Sequence, residues 1–386
     1  MSTVTKEAVL DALRQVQDPD LHKDIVALGF ITKNEVSADG KVEVTINLTT
    51  PACPVKDLMK NQADVFIREI PGVTDVKIEM TAEVRGQGAS NEDRKFGKDI
   101  KHIIAISSGK GGVGKSTVTV NLAVALAKKG ARVGILDCDV YGPDIPMMMG
   151  LSGEPEAVGR KLIPKERHGV KTMSIGYLLG EDKPVMWRGP MIHKLIEQFL
   201  GDVEWGALDY LLVDMPPGTG DAQLSLAQVV PLSGGVLVTT PQAVATFDVT
   251  KAIAMFNQVH VDVIGIVENM SGYTVSGTVE GGAPGTKISF ETGNGTIETE
   301  LGEGGSFESV FHIFGAGGAD HLAKKFGYPV ISRVPLNPAV RVGGDGGDPV
   351  TVTHPDSLIA KEFEAMAGRF AQRVAINEHK SLPVLQ

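Results

Sequence analysis

The sequence predicts an α/β protein in which a doubly wound, mostly parallel sheet is preceded by a small α+β unit. From about residue 101, short apolar runs rich in β-branched residues alternate with segments of helical periodicity. Such an alternation is typical of parallel strands covered by helices on both faces. Residues 1–85 instead combine two helical patterns with alternating strand patterns. The polar, glycine-containing stretch at 86–100 is predicted to link the two units.

The elements of the small unit follow from local patterns. Residues 6–16 carry apolar positions at helical spacing, and Pro19 then breaks the helix. KVEVTINLTT, from Lys41, alternates apolar and polar residues as a half-buried strand does. VKDLMKNQADVFIREI, from Val55, returns to a helical period, and VTDVKIEM, from Val73, alternates again.

The second unit, residues 101–375, is predicted from its strand-like runs. They are HIIAIS (102–107), RVGILDCD (132–139), DYLLVDMP (209–216), GGVLVTTP (234–241), VIGIVENM (263–270) and YPVISRVP (328–335). Residues 272–310 interrupt the pattern with a Gly/Thr/Glu-rich insert, which we expect to be either a small hairpin or disordered. Only TKISFET within it resembles a strand. LIAKEFEAMAGRFAQRV (358–374) predicts a docked terminal helix rather than a membrane-surface one, since it lacks a basic face, and 376–386 is a tail.

Composition narrows the classes of function. The chain has 386 residues, 42% of them apolar, which suffices for two cores. Its net charge of −10 leaves no basic face for nucleic acid. No secretory signal pattern or apolar run long enough for a membrane span is visible, so we expect a cytoplasmic protein. Cys53 and Cys138 are too few for a disulfide framework or a four-cysteine metal site within one chain.

A glycine loop between a predicted strand and a predicted helix carries the main functional signal. GKGGVGKS, 109–116, satisfies the G-x-x-x-x-G-K-[ST] pattern of a phosphate-binding loop, and its context disfavours a plain structural turn. Lys115 is predicted to reach the β- and γ-phosphates of ATP, and Ser116 to ligate Mg²⁺. The predicted nucleotide-binding residues of the loop are Gly109, Lys110, Gly111, Gly112, Val113, Gly114, Lys115, Ser116 and Thr117.

Carboxylates follow two other predicted strands. Asp214 ends an apolar strand, as a Walker B carboxylate that acts on Mg²⁺ does. The loop after it, with Pro217, Gly218 and Gly220, could sense a γ-phosphate or be a plain turn.

Asp137 and Asp139 lie at the end of the second strand of the sheet, at the edge where open α/β sheets place ligands. Asp137 is either functional or a structural cap.

The second lysine of the loop, Lys110, resembles the deviant Walker A signature of ParA/MinD-type ATPases. That resemblance implies a nucleotide-dependent homodimer in which Lys110 reaches the nucleotide of the other subunit; a solvated surface lysine is the alternative. The resemblance also implies catalysis by Lys110, Lys115 and Asp139, with slow hydrolysis of ATP, and it makes Asp139 the better candidate to orient or deprotonate the attacking water. The base would be held by Asn269, Pro335 and Asn337, although Asn and Pro are also common turn residues.

Further segments are similar to one branch of these ATPases, the Mrp/ApbC iron–sulfur cluster carriers. They are DCDVYGPDIPMMMG, WRGPM at Trp187, LVDMPPGTGDAQLSL and ENMSGY, together with DPDL and LTTPACPVKDLM in the small unit, which resembles an iron–sulfur-assembly domain. The resemblance covers nearly the whole chain apart from residues 272–310 and the tail. It implies a [4Fe–4S] cluster as cargo, with assembly proteins and recipient apoproteins as partners.

The chain departs from this family where the cluster ligands are expected. Family members place a C-x-x-C pair shortly after ENMS, whereas this chain has Ser276 and Val279 at about those positions, and neither supplies a thiolate. Cys53 is either a reactive or cluster-binding thiol or a small buried residue. Cys138 is interpreted as packing. His312 and His321 have no ligand partners at a recognisable spacing.

Three functions compete at this point. The first is an ATP-hydrolysing dimer that assembles or transfers iron–sulfur clusters, with an altered cluster site or a cluster held by a partner. The second is a ParA/MinD-like interaction switch that carries no cluster, which the missing cysteine pair favours and the small unit disfavours. The third, a P-loop kinase or transferase, lacks any recognisable phosphoacceptor pocket.

Overall fold

The structure is a computed structural model, and it describes residues 4–19, 21–84, 86, 94, 96–178, 189–293 and 295–381. Trp187 and most of the predicted linker lie outside the described residues. The first strand of the large unit begins at Ile100, which is the last residue of the predicted linker.

The small unit is a short sheet covered by helices on one face. β3 pairs antiparallel with β4, and β4 pairs parallel with β5. Alternate residues of β4 are buried, as its pattern predicts. β3 was not predicted, because this edge strand is mostly polar and shows no apolar alternation. The elements are α1 (Lys6–Leu13), β1 (Gln17–Asp18), β2 (Lys23–Asp24), β3 (Ile31–Val36), β4 (Lys41–Leu48), α2 (Lys56–Arg68) and β5 (Asp75–Ala82).

The large unit alternates strands and helices, as predicted. Its strands are β6 (Ile100–Ser108), β7 (Val133–Asp137), β8 (Ala157–Val158), β9 (Lys161–Leu162), β10 (Lys165–Arg167), β11 (Val170–Ser174), β12 (Leu208–Asp214), β13 (Gly234–Thr239), β14 (Val263–Thr278), β15 (Lys287–Thr292), β16 (Gly295–Glu300), β17 (Ser306–Phe311) and β18 (Val330–Leu336). Its helices are α3 (Lys115–Lys128), α4 (Ile145–Met148), α5 (Gly189–Gly201), α6 (Asp221–Val229), α7 (Ala243–Gln258), α8 (Gly318–Phe326), α9 (Pro338–Gly346), α10 (Val350–Thr353) and α11 (Leu358–Ser381).

The main sheet is doubly wound. Its order is β10-β11-β7-β12-β6-β13-β14-β17, and β18 also pairs with β14. All pairs from β11 to β14, and the β14–β18 pair, are parallel, whereas β10 and β17 are antiparallel edge strands. Every residue of β12 is buried, as expected of a strand covered on both faces. The predicted fold class is therefore confirmed.

Helices cover each face of this sheet with a separate apolar core. One core contains α3 and α11, with buried residues such as Leu122, Phe363 and Phe370. The other contains α5, α7 and α8, with buried residues such as Phe199 and Phe256. The sheet between them is held rigidly, which fixes the loops at its edges.

The insert at 272–310 forms a β arm, the first of the two expected outcomes. β14 continues to Thr278, well beyond the predicted end of its strand, and pairs with β17, while β15 and β16 form a hairpin. The ring of Phe290 packs against those of Phe307 and Phe311, with centroids 5.5 and 5.3 Å apart. Only β15 was indicated by the sequence, because β16 (GTIETE) consists mostly of Gly, Thr and Glu and β17 (SFESVF) shows no regular alternation of polar and apolar residues.

The terminal helix is docked, and it extends beyond the predicted tail boundary. α11 continues to Ser381, so residues 376–381 are helical rather than a tail. A loop of the small unit packs beside it: Ala52 belongs to the same buried cluster as Phe370, and the Tyr210 hydroxyl donates to Thr50 Oγ1 at 3.4 Å. The small unit therefore contacts α11 and the amino-terminal half of β12.

Phe370→Ala tests how firmly α11 is docked. Phe370 is fully buried, and its ring meets that of Tyr210 edge-on at 5.6 Å. We expect the free energy of unfolding in urea to fall by about 3–5 kcal/mol. Leu358→Ala is the control, because Leu358 on the same helix is 81% exposed and should change stability by less than about 0.5 kcal/mol. Equal losses in the two variants would show that the helix is not packed as described.

Candidate functional site

The register of the sheet brings three loops to one edge. β12 lies between β6 and β7, and Asp214 at its end is in register with Ile106 of β6 and Asp137 of β7. The carboxyl ends of these parallel strands therefore meet, and the loops that follow them share one space. Those loops carry the glycine motif, the Asp137–Asp139 pair and the segment after Asp214.

The glycine loop adopts a conformation that requires glycine. Gly112 and Gly114 have φ values of 77° and 81°, where side chains other than glycine are strained. A Cβ on Gly114 would lie 2.2 Å from Asn269 Nδ2, and one on Gly109 would lie 2.3 Å from the backbone of Asp248. α3 begins directly after Gly114, so its first backbone N–H groups are exposed to a ligand at the loop, as an anion site needs.

The side chains of the loop converge on the carboxylate of Asp214. Lys115 Nζ and Ser116 Oγ each donate to Asp214 Oδ2 at 2.6 Å, and Thr119 Oγ1 donates to Oδ1 at 2.8 Å. Burial acts to lower the pKa of Lys115, but the Asp214 carboxylate outweighs it, and the net shift of the Lys115 pKa is upward. Thr119 was missed by sequence reasoning, although its position one helical turn after Lys115 could have indicated it.

Oxygen atoms of Ser116 and Asp214 suit a hard cation. Mg²⁺ in nucleotide sites is held by one or two protein oxygens together with substrate phosphates. The two predicted ligands are in contact at 2.6 Å, so these residues fit the predicted role. The described residues contain no group of three or more His, Cys, Asp or Glu that could hold a metal ion, and the carboxylates of the β arm thus form no such group there.

The two aspartates after β7 have different surroundings. Asp137 is fully buried and accepts from Ser174 Oγ at 2.8 Å and from the backbone N–H of Asp139 at 3.1 Å. Burial first, and the charge of Asp214 second, raise the pKa of Asp137 well above its usual value. Asp139 Oδ2 lies 3.8 Å from Lys115 Nζ, and burial raises its pKa. Asp139 is therefore the aspartate that faces the loop lysine, whereas Asp137 supports the strand end.

Lys110 is directed away from this carboxylate cluster. Its ammonium group lies 3.4 Å from Gln242 Oε1, at the start of α7, and its carbonyl accepts from Ser108 Oγ. The side chain is half-buried. Gln242 was not among the predicted site residues, because nothing in the sequence distinguishes a glutamine after a strand.

The loop after Asp214 packs against the glycine loop. Gly218 has a φ of 98° and donates its backbone N–H to the Ser108 carbonyl at 3.2 Å. Pro217 lies 3.8 Å from the position of a Cβ on Gly111. Gly220 directly precedes α6. The loop after Asp214 is therefore in direct contact with the glycine loop.

The residues predicted to hold the base lie together. Asn269, Pro335 and Asn337 line a cavity of about 250 Å³ with Gly114 and Thr117 of the phosphate loop. Asn269 Nδ2 donates to the Val113 carbonyl at 2.9 Å, and Asn337 Oδ1 caps α9 by accepting from the Ala339 N–H. Both asparagines therefore also have structural roles.

The residues considered as ligands of an iron–sulfur cluster lie in different parts of the structure. Ser276 lies within β14 opposite Glu308 of β17, and Val279 follows the end of that strand. Cys53 is partly buried in the small unit. Cys138 is fully buried, and burial raises the pKa of its thiol well above the usual value, which agrees with packing. His312 and His321 are exposed.

Comparisons with known proteins identify the family. The family described as NUBPL iron-transfer P-loop NTPase matches residues 99–287 and 304–371. The chain belongs to this family. Its small unit, over residues 6–80, matches a second family, described as iron–sulfur cluster assembly protein. The resemblance predicted from the sequence is confirmed, and the unmatched residues 288–303 fall in the β15–β16 hairpin and the turn after it.

Individual members of the family resemble the chain over nearly its full length. An iron–sulfur cluster carrier protein of Synechocystis is 45% identical across 97% of this chain and 99% of its own. Another, of Deinococcus radiodurans, is 42% identical across 98% of each. A solved nucleotide-binding protein of Archaeoglobus fulgidus, in complex with ADP, is 40% identical over 64% of this chain and 87% of its own, with a TM-score of 0.50.

The described residues form helices of up to 24 residues. None of their helices combines the length and the apolar character that crossing a bilayer requires.

A double-mutant cycle tests the contact at the centre of the site. Lys115→Met and Asp214→Asn each leave a buried charge without its partner, so each should lower the free energy of unfolding by about 3–5 kcal/mol. The double variant should lose clearly less than the sum of the two. Denaturant titration of the four proteins, without nucleotide, measures the coupling.

An exposed ion pair provides the matched control for this cycle. Arg68 and Asp64 on α2 are also in contact, at 2.7 Å, but their side chains are 49% and 39% exposed to solvent. The same cycle with Arg68→Met and Asp64→Asn should give a coupling of about 0–1 kcal/mol. Additive losses at Lys115 and Asp214 would contradict the buried contact.

Proposed function

We propose that this protein binds ATP with Mg²⁺, hydrolyses it slowly as a cytoplasmic homodimer, and transfers iron–sulfur clusters to recipient apoproteins. The chain's membership of the iron-transfer P-loop NTPase family supports an iron–sulfur cluster as the cargo. The single observation that carries the nucleotide chemistry is the convergence of Lys115, Ser116 and Thr119 on Asp214. Iron–sulfur assembly proteins and recipient apoproteins are the proposed partners, with no nucleic acid or membrane involved.

The side chains around Asp214 would divide the steps of phosphate transfer among them. The N–H groups at the start of α3 and the Lys115 ammonium would bind the β- and γ-phosphates. Ser116 and Asp214 would hold Mg²⁺, which when bound neutralises charge on the phosphates. Asp139 would accept a hydrogen bond from the attacking water and orient it. Its pKa, raised by burial, makes its carboxylate a stronger base than an exposed aspartate.

The position of Lys110 supports a site completed by a second copy. Lys110 contacts Gln242 instead of the carboxylates of its own loop. Large apolar side chains are exposed near this site. Tyr141, in the loop after β7, is 71% exposed, and Val244 and Phe247 on α7 are 65% and 62% exposed. Exposed apolar groups beside a polar site are typical of an interface. A partner subunit on this surface would bring its own Lys110 towards the nucleotide.

The cargo requires ligands other than the usual cysteine pair. Ser276 and Val279 offer no thiolate, and Cys138 is buried inside the sheet. Cys53, in the unit that matches iron–sulfur assembly proteins, is the remaining cysteine of the chain. The cluster is therefore held either through Cys53, shared between subunits or with a partner, or by a partner protein alone.

An ATP-dependent interaction switch without a cluster is the alternative function. The replacement of the cysteine pair by the β14–β17 strands favours it specifically. The phosphate chemistry would be the same, and only the cargo differs.

Two lysine variants separate the roles of the glycine loop. Lys115→Ala should abolish ATP binding, because the buried ammonium is lost from the phosphate site. Lys110→Ala should leave binding within about twofold but remove hydrolysis and ATP-dependent dimerisation, since its group acts on the other subunit. Calorimetry, phosphate release and light scattering with Mg-ATP measure these three properties. Normal hydrolysis by Lys110→Ala would refute the cross-subunit role.

Anaerobic reconstitution with iron and sulfide tests whether this protein itself holds a cluster and whether Cys53 is a ligand. If the cluster is held through Cys53, the wild type gains the visible absorption of an iron–sulfur cluster and Cys53→Ser does not. Cys138→Ala is the control, and it should retain the band because that thiol is buried in the sheet. No band in the wild type, with ATP hydrolysis intact, would favour a partner-held cluster or the switch. A band retained in Cys53→Ser would exclude ligation by Cys53.

A further inference from the structure

Met270 has a backbone conformation that is uncommon for a methionine. Its φ is 57°, in the left-handed region that few residues other than glycine adopt. It lies in β14 where the register with β18 shifts, between Asn269 and Tyr273. The surrounding strands thus impose this conformation, and such strain is found most often where a side chain must be aimed at a functional site.

The side chain of Met270 is aimed at the phosphate loop. Its Cε lies 3.8 Å from the position of a Cβ on Gly114, the residue directly before Lys115. Met270 also lines the cavity of about 250 Å³ that contains Gly114, Thr117 and Asn269. It is partly exposed, so a ligand in the cavity would bury apolar surface that is now in contact with water.

A second methionine lines the same cavity. Met148, the last residue of α4, lines it, and its Cε lies 3.4 Å from the position of a Cβ on Gly344 of α9. Leu336 and Val340 add further apolar surface. The cavity therefore continues from the phosphate loop into a largely apolar space with a methionine from α4 and a methionine from β14.

We propose that Met270 and Met148 form an apolar clamp for the base of the nucleotide. A flat aromatic ring next to the phosphate loop matches this space, and thioether side chains make favourable contacts with aromatic rings. This inference rests on the proposed function, since it takes the ligand of the phosphate loop to be a nucleotide. It assigns base affinity to two residues outside the predicted set of Asn269, Pro335 and Asn337.

Comparison of ATP with inorganic triphosphate tests the clamp. Both ligands engage the phosphate loop, but only ATP has a base. Met270→Ala and Met148→Ala should each raise the Kd for Mg-ATP by about tenfold, through lost apolar contact, and leave the Kd for triphosphate unchanged. In steady-state hydrolysis, KM for ATP should rise while kcat stays within about twofold. Calorimetry and phosphate release measure these quantities.

Matched variants separate the clamp from a structural role. Met270→Leu should keep most of the affinity for ATP. Met270→Gly relieves the left-handed conformation, so its thermal stability should not fall although its affinity for ATP does. Met147→Ala is the control, because this neighbour of Met148 is 55% exposed and lies outside the cavity. It should change neither the Kd for Mg-ATP nor the Kd for triphosphate.

The possible failures are distinguishable. If Met270→Ala and Met148→Ala bind ATP as the wild type does, the clamp is wrong and the proposed function stands. If the variants lose affinity for ATP and triphosphate equally, the methionines shape the loop and do not contact the base, which also overturns the clamp. If the wild type binds neither ligand, the proposed function fails together with the inference.

Discussion

The carboxylate of Asp214 is the group on which the site depends. It is almost fully buried and accepts from Lys115, Ser116 and Thr119, all on the first turns of α3. An unpaired carboxylate at this depth would be strongly destabilising, so the lysine and the two hydroxyls stabilise the fold in addition to any role in nucleotide binding. The same contacts orient the start of α3 relative to β12. A ligand that takes Lys115 away from Asp214 must supply a replacement positive charge there, which a divalent cation does.

The small unit and the nucleotide site lie at opposite edges of the sheet. The loop with Thr50 and Ala52 packs on Tyr210, in the amino-terminal half of β12, and on α11. The phosphate loop follows the carboxyl end of β6. α3 spans the distance between these edges, about 21 Å for its 14 residues. In the turn after α3, the position of a Cβ on Gly130 would lie 4.0 Å from Pro51 Cβ. Any influence of the nucleotide on Cys53 within one subunit would therefore pass through packed elements and not through direct contact.

Sequence reasoning succeeded where one local pattern determines one element. Burial of β12 on both faces produces an unbroken apolar run, and the glycine loop is fixed by backbone geometry that only glycine allows. It failed where the determining contact is distant in sequence. β3 and β17 are edge strands that need only a partner's backbone, so their side chains carry little signal. Gln242 and Met270 gain their significance from neighbours more than 100 residues away, and a single sequence does not reveal such contacts.

At the positions where the resemblance places the cluster cysteines, the chain differs from the expected pair in backbone conformation as well as in composition. Two cysteines three residues apart can share a metal centre when the backbone turns between them. Here β14 stays extended to Thr278, paired with β17 through Ser276 and Glu308. Side chains three positions apart on an extended chain point to opposite faces, about 10 Å apart along it. Cysteines at about the positions of Ser276 and Val279 would therefore be held apart within one subunit, because the strand pairing keeps the backbone from Ser276 to Thr278 extended. The strand pairing at these positions is therefore consistent with the proposal that a cluster is held through Cys53 or by a partner protein.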